Sequence, residues 1–216
     1  MQPSASIPLT TVVGAAVAAP TASPAKIGPN ALIQTVRALR EQTSDAKIAA
    51  ILRQCQQEAL LVEEPSAMVD EQLFETLVGA VSDQLGVELA QQILWRSGVL
   101  TALYLLENRI PRPFQHLLRP LPPRPALALL LAAIRQHAWT FVGSGQFTYR
   151  VWRTPQLTVA THIQPIDAVC GFYGGTFEHL FRTLVATQTR VVTTTSISNR
   201  EPAGKASCIY TIHFQG

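Results

Sequence analysis

The sequence lacks the short motifs with which proteins bind redox cofactors. A nicotinamide-binding domain uses a G-x-G-x-x-G turn between a strand and a helix, and only Gly143-Ser144-Gly145 resembles it here. That segment has no third glycine and no helical pattern after it. The sequence has no P-loop, and three widely spaced cysteines are too few for a four-cysteine iron–sulfur cluster. We therefore predict no intrinsic redox cofactor.

Cysteines are also scarce. Because Cys55, Cys170 and Cys208 are odd in number, we expect no disulfide framework and a reducing compartment. The apolar patch at residues 12–19 is too short for a membrane span and makes a poor signal peptide. Residues 1–26 are rich in Ala, Pro, Ser and Thr, a composition typical of a disordered tail. We expect a cytoplasmic protein that is not transmembrane.

Charge is sparse as well, at 14% charged residues and a net charge of +3. Most basic residues are scattered, which gives no case for nucleic-acid binding. Four arginines do gather in one proline-rich segment, at Arg109, Arg112, Arg119 and Arg124. This segment is either a solvated loop or a patch for the carboxylate groups of a ligand or an acidic partner.

The first half of the sequence predicts packed helices. Apolar residues recur at helical spacing from Leu32 to Leu39, after Asp45, from Leu73 to Val81 and from Leu89 to Tyr104. Gly86 marks a break between the last two runs. Six prolines between residues 111 and 125 then interrupt the chain, because each proline removes a backbone donor.

The second half predicts a sheet with one packed helix. Two short helices come first, one around Gln115 to Leu118 and one from Leu127 to Ile134. The second is apolar on nearly every side, so we expect it to be buried. Helical spacing returns from Phe172 to Val185. Aromatic and β-branched runs predict strands at 140–142, 147–152, 157–163, 190–198 and 207–214, with a turn at 199–205.

Helices followed by strands favour an α+β fold with an antiparallel sheet. We expect one domain at 27–216 with a helical part at 27–110 and an α+β part at 111–216.

Two motifs carry the candidate ligand-binding residues. His137, Trp139 and Phe141 stand in H-A-W-T-F, just before G-S-G-Q-F. Tyr173 and Phe177 stand in CGFYGGTFEHLFRTLV, residues 170–185. An imidazole can ligate a metal, and aromatic side chains suit the faces of a flat apolar ligand. The glycines around Tyr173 have two interpretations. They form a turn that leads into the helix, or they allow the backbone to approach a ring edge, with Tyr173 as hydrogen-bond donor or proton source.

These two motifs resemble the 4-vinyl-reductase domain family of bacteriochlorophyll biosynthesis, whose reaction newer ring numbering calls 8-vinyl reduction. The resemblance covers roughly residues 27–216. It implies a magnesium tetrapyrrole as the ligand and His137, Trp139, Phe141, Tyr173 and Phe177 as its contacts. It also implies the α+β fold of a superfamily that includes haem-based nitric-oxide sensors and vesicle-tethering subunits, which enclose a ligand between sheet and helices.

The resemblance also matches Cys170 and Cys208 to two of the family's three cysteines. The third falls in the segment at 192–198, which has no cysteine here. Cys170 and Cys208 with His179 or His213 could bind a metal such as zinc. The alternative is that both are small buried core residues.

Two functions follow as hypotheses. The first is a carrier or accessory protein that binds a divinyl protochlorophyllide, a chlorophyllide or a magnesium-protoporphyrin ester and presents it to other bacteriochlorophyll-biosynthesis enzymes. The second is the 8-vinyl reductase itself, with NADPH or another external electron donor. An acyl-binding scaffold like the vesicle-tethering subunits is a third possibility. A homodimer is plausible for all of them.

Overall fold

A computed structural model of the chain describes residues 25–197 and 206–214. Most of the predicted disordered tail, and the predicted turn at 199–205, lie outside these residues. The last residue of that tail, Lys26, belongs instead to strand β1 (Lys26–Ile27), which pairs antiparallel with β2 (Val69–Asp70).

The first half is helical, as the sequence predicts. Its helices are α1 (Asn30–Gln42), α2 (Asp45–Gln54), α3 (Glu71–Leu85) and α4 (Val87–Asn108), with a short 3-10 helix at Glu58–Leu61. Each long helix buries one apolar face. Gly86 separates α3 from α4 with φ at 83°, a conformation that favours glycine.

The proline-rich segment forms two helices, α5 (Arg112–Leu118) and α6 (Pro123–Gln136). Both begin directly after a proline, which is well tolerated before or within the first turn of a helix. The sequence pattern predicts that α6 is buried on nearly every side. The prediction is wrong, because Leu129 faces outward and α6 has a solvent face.

The predicted strand at 140–142 is instead a single helical turn, α7 (Trp139–Val142). Its residues favour strands individually. However, the backbone N–H groups of Phe141 and Val142 both donate to the carbonyl of Ala138, at 3.0 Å each, which continues the helical turn after α6. Gly143, with φ at 55°, then ends α7 and releases the chain into the sheet.

The sheet is antiparallel and four-stranded, which confirms the predicted α+β class. Its strands are β3 (Gln146–Arg150), β4 (Gln156–Thr161), β5 (Arg190–Ile197) and β6 (Ala206–His213), in the order β3-β4-β6-β5. Burial alternates along β4 and β6, so one face of the sheet is packed. Neighbouring residues on that face include Phe147, Val159 and Cys208.

The packed face lies against α8 (Ile166–Leu184), which joins β4 to β5. This helix starts six residues before the predicted start at Phe172, and all ten residues from 168 to 177 are buried. On its other side α8 packs along α4, and α4 packs on α1, where Thr35 and Ser97 are hydrogen-bonded at 2.9 Å. Helix α8 is therefore the central element. None of the helices described is both long and apolar enough to cross a bilayer.

Candidate functional site

One face of α8 consists of glycines in close contact with α4. Gly171 and Gly175 are four residues apart and therefore share this face. A Cβ atom at Gly175 would overlap the carbonyl oxygen of Trp95, and one at Gly171 would lie 2.7 Å from that of Gln91. A Cβ atom at Gly98 on α4 would likewise overlap the carbonyl oxygen of Phe172. The predicted glycine turn is therefore wrong, since these glycines allow two helix backbones to approach closely.

The opposite face of α8 is aromatic. Phe177 is at its centre, with ring centroids 6.0 Å from Phe147, 5.7 Å from Tyr210 and 6.3 Å from Phe141. Tyr173 stacks on Phe177 at 6.4 Å. We call Phe141, Phe147, Tyr173, Phe177 and Tyr210 the aromatic cluster. The rings touch one another, so the space between sheet and α8 is filled by the protein's own side chains.

Helix α7 covers this cluster from outside. Phe141 points into the cluster, and its carbonyl oxygen accepts a hydrogen bond of 3.0 Å from the hydroxyl of Tyr173. The carbonyl of Thr140 accepts one of 2.7 Å from the N–H of Gly28. Two hydrogen bonds thus join this four-residue helix to α8 and to the segment after β1.

The other two predicted contacts lie beside the cluster on the surface. Trp139 is 63% exposed and His137, the residue after α6, is also exposed. The structure therefore brings three predicted residues together in the interior, Phe141, Tyr173 and Phe177. It places the remaining two, His137 and Trp139, on the outer side of the same short segment.

Burial controls the chemistry of Tyr173. Burial, with a smaller contribution from the Glu71 carboxylate, raises the pKa of this phenol well above its usual value. The hydroxyl of Tyr173 donates its hydrogen to the carbonyl oxygen of Phe141. Tyr173 is therefore a neutral hydrogen-bond donor that secures α7.

Glu71, at the start of α3, is a residue that the sequence does not single out. Its carboxylate accepts hydrogen bonds from the N–H of Ser144, at 2.9 Å, and from the hydroxyl of Ser144, at 2.6 Å. A Cβ at Gly143 would overlap this carboxylate, and the positive φ of Gly143 favours glycine at this position. The loop Gly143-Ser144-Gly145 thus binds a carboxylate of its own chain. No local pattern signals a contact across 73 residues.

The structure corrects the predictions for the cysteines. Cys170 on α8 and Cys208 on β6 are both fully buried and form a disulfide, with Cα atoms 5.4 Å apart. The bond leaves neither sulfur available as a thiolate metal ligand. Within the described residues, no three His, Cys, Asp or Glu side chains form a group that could hold a metal ion. Only Cys55 has a free thiol. The disulfide and the hydrogen bond from Tyr210 to the carbonyl of Cys170, at 2.8 Å, both join α8 to the sheet.

Two curated relatives match nearly the whole chain. The bacteriochlorophyll synthase 23 kDa chain of Rhodobacter capsulatus is 34% identical over 206 residues, 93% of each chain. The protein of the same name from Cereibacter sphaeroides is 31% identical over 189 residues, 82% of this chain and 87% of that one. The chain belongs to this family. Membership of the 23 kDa chain family indicates a protein of bacteriochlorophyll biosynthesis.

Solved structures confirm the α+β fold of this member of the 23 kDa chain family. An Fe(II) unliganded H-NOX protein mutant from K. algicida superposes with a TM-score of 0.58, over 88% of this chain and 98% of that one, at 11% identity. A structure from work on haem distortion in the H-NOX family has a TM-score of 0.55, over 87% and 95%, at 12% identity. At such low identity the likeness establishes the fold alone. No protein-family model matches the chain.

Proposed function

We propose that this protein binds a magnesium tetrapyrrole intermediate of bacteriochlorophyll biosynthesis, as a carrier or accessory factor for 8-vinyl reduction. The observation that carries the proposal is the aromatic cluster under the short helix α7. A flat macrocycle needs apolar, aromatic walls. The cluster supplies several ring faces in one place, and the exposed His137 precedes α7, the helix that covers the cluster.

Binding requires α7 to move, because the rings of the cluster are already in contact. Displacing α7 withdraws Phe141 and exposes Phe147, Tyr173 and Phe177. A haem protein of the H-NOX family shares this fold, which supports a tetrapyrrole as the kind of ligand. The relatives' name supports the pathway. The protein would then pass its pigment to other enzymes of the same pathway.

His137 is the side chain proposed to ligate magnesium. Magnesium in a chlorin accepts one axial ligand, often an imidazole nitrogen. His137 follows α6 directly and lies two residues before Trp139. Its imidazole is exposed and can move together with α7 when that helix is displaced.

Titration of the purified protein with divinyl protochlorophyllide, with and without NADPH, tests this function. We expect a saturable shift of the Soret band and no conversion to the monovinyl pigment. His137→Ala should weaken the binding without changing the unfolding midpoint. The matched control is His213→Ala, another exposed histidine, which should bind as the unaltered protein does. Equal affinities of the two variants would exclude His137 as the ligand.

A reductase that takes electrons from an external donor is the second candidate. Its support is the resemblance to the 4-vinyl-reductase family. The occupied Gly143-Ser144-Gly145 loop argues against a nicotinamide phosphate site there, because its N–H at Ser144 and hydroxyl already bind Glu71. Conversion of divinyl to monovinyl pigment by purified protein and NADPH would establish the reductase and remove the carrier proposal.

A further inference from the structure

The charges of this protein are distributed very unevenly along the chain. No aspartate or glutamate occurs between Glu107 and Asp167, whereas seven arginines do. All seven are exposed, at positions 109, 112, 119, 124, 135, 150 and 153. In contrast, residues 1–107 contain eleven acidic and six basic residues. The protein therefore has a strongly basic region in spite of its small net charge.

The arginines of the basic region also differ in their contacts from those of the helical first half. In the helical first half, Arg37 pairs with Glu64 and Arg96 with Glu41. Among the residues that the structure describes, none of the seven arginines forms an ion pair. Arg109 lies over the ring of Tyr104 at 5.9 Å, and the rest extend into solvent. Their charges are available to an external partner.

Helices α5 and α6 each combine an arginine edge with an exposed leucine. On α5, Arg112 and His116 share one edge, and Leu117, about 140° around the helix from Arg112, is 55% exposed. On α6, Arg124 and Arg135 are eleven residues apart, which returns them to the same side of the helix. Leu129 is also exposed, about 120–140° around the helix from these two arginines, at the other edge of the solvent face. The two helices pack together and are joined by a proline-containing link.

A groove lies where α5 meets the end of α4. Its volume is about 640 Å³, and Arg112, His116 and Arg119 line it together with Leu103 and Leu106. Glu107 is the one acidic residue in the lining, at the α4 side. We propose that α5 and α6, with this groove, form a docking surface for an anionic lipid bilayer, to which the protein binds peripherally.

Charge and apolar exposure together favour lipid over other anionic partners. A stable protein interface needs a desolvated apolar centre, whereas here each helix exposes one leucine, at the edge of its solvent face away from the arginines. That arrangement suits a bilayer surface, where basic residues meet anionic headgroups and isolated apolar side chains enter the headgroup boundary. Nucleic-acid binding gives no reason for Leu117 and Leu129 to be exposed.

The test measures binding of the full chain, without pigment, to vesicles by flotation. We expect binding to phosphatidylcholine vesicles that contain phosphatidylglycerol, weak binding to phosphatidylcholine alone, and loss of binding at high salt. The variant Arg112→Gln/Arg119→Gln should bind about 25-fold more weakly, since one basic residue near an anionic surface contributes about fivefold. Leu117→Ser should weaken binding to a smaller extent.

The matched control is Lys47→Gln/Arg53→Gln, which removes two exposed positive charges from α2. It should bind like the unaltered chain, apart from a small effect of net charge. Equal loss in both double variants would show attraction by net charge alone and overturn the proposal. Binding to polyglutamate through Arg112 and Arg119, with no affinity for vesicles, would also overturn it in favour of an acidic protein. The proposal does not depend on tetrapyrrole binding.

Discussion

The two faces of α8 make different kinds of contact, although their residues alternate within one sequence motif. The face toward α4 carries Gly171 and Gly175, and its contacts are to the backbone of the neighbouring helix. The face toward the sheet carries Tyr173 and Phe177, and its contacts are rings. A side-chain cluster can rearrange around a ligand, whereas two backbones in contact cannot. We therefore expect the glycine face to tolerate no added side chain, and the proposed tetrapyrrole to bind at the aromatic face.

The disulfide should give the largest change in stability, because it holds the aromatic face against the sheet. The bond closes a loop with a sequence separation of 38 residues, so removing it should lower the unfolding free energy by about 2–4 kcal/mol. Denaturant unfolding of Cys170→Ala/Cys208→Ala measures the effect. Cys55→Ala, which removes the free thiol, is the control. An unchanged midpoint in the double variant would show that this bond does not support the fold.

A methyl group on the glycine face should give the next largest effect. Gly175→Ala places a Cβ against the carbonyl of Trp95, and overpacking of this kind costs about 1–3 kcal/mol. Gly79→Ala in α3 is the matched control, because nothing lies within 4 Å of its Cβ and alanine favours a helix by about 0.5–1 kcal/mol. Thermal unfolding should show opposite signs for the two variants. A Gly175→Ala protein that is more stable than the unaltered protein would contradict the close contact of this glycine face with α4.

Loss of the hydrogen bond between Tyr173 and the carbonyl of Phe141 should have a smaller effect on the unfolding free energy. Tyr173→Phe removes the donor to the carbonyl of Phe141 and should cost about 1 kcal/mol. Amide hydrogen exchange in residues 139–142 should accelerate more than exchange in α8. If α7 must move before pigment enters, the association rate constant in stopped-flow fluorescence should rise. A slower association would contradict the role of α7 as a cover.

The smallest expected effect is on pH dependence. Partial burial, followed by the charges of Arg182 and Arg96, lowers the pKa of His179 below its usual value. Protonation therefore favours the unfolded chain, and stability should fall as pH decreases from about 7 through that lowered pKa. His179→Gln should flatten the dependence of the unfolding free energy on pH between about 7 and 5. An unaltered pH dependence in His179→Gln would contradict this role of His179.

Local patterns predicted much of the fold and only part of the site. Helices α1 to α4 and the four strands of the sheet follow from the spacing of apolar residues that are near neighbours in the sequence, such as Leu32 to Leu39. The run at 140–142 was misassigned, because hydrogen bonds to Ala138 and the positive φ of Gly143 outweigh residue preference. The contacts of Gly175 with α4 and of Glu71 with Ser144 connect distant segments, so no local pattern contains them.

The most direct test of the account is the affinity of Phe177→Leu for divinyl protochlorophyllide, measured by Soret-band titration beside the unaltered protein. Leucine keeps an apolar core and should cost less than about 1.5 kcal/mol of stability. The account predicts saturable binding to the unaltered protein and about tenfold weaker binding to the variant, because one ring contact is worth up to about 1.5 kcal/mol. Equal affinities, or no spectral shift with either protein, would contradict the claim that the aromatic face of α8 binds the tetrapyrrole.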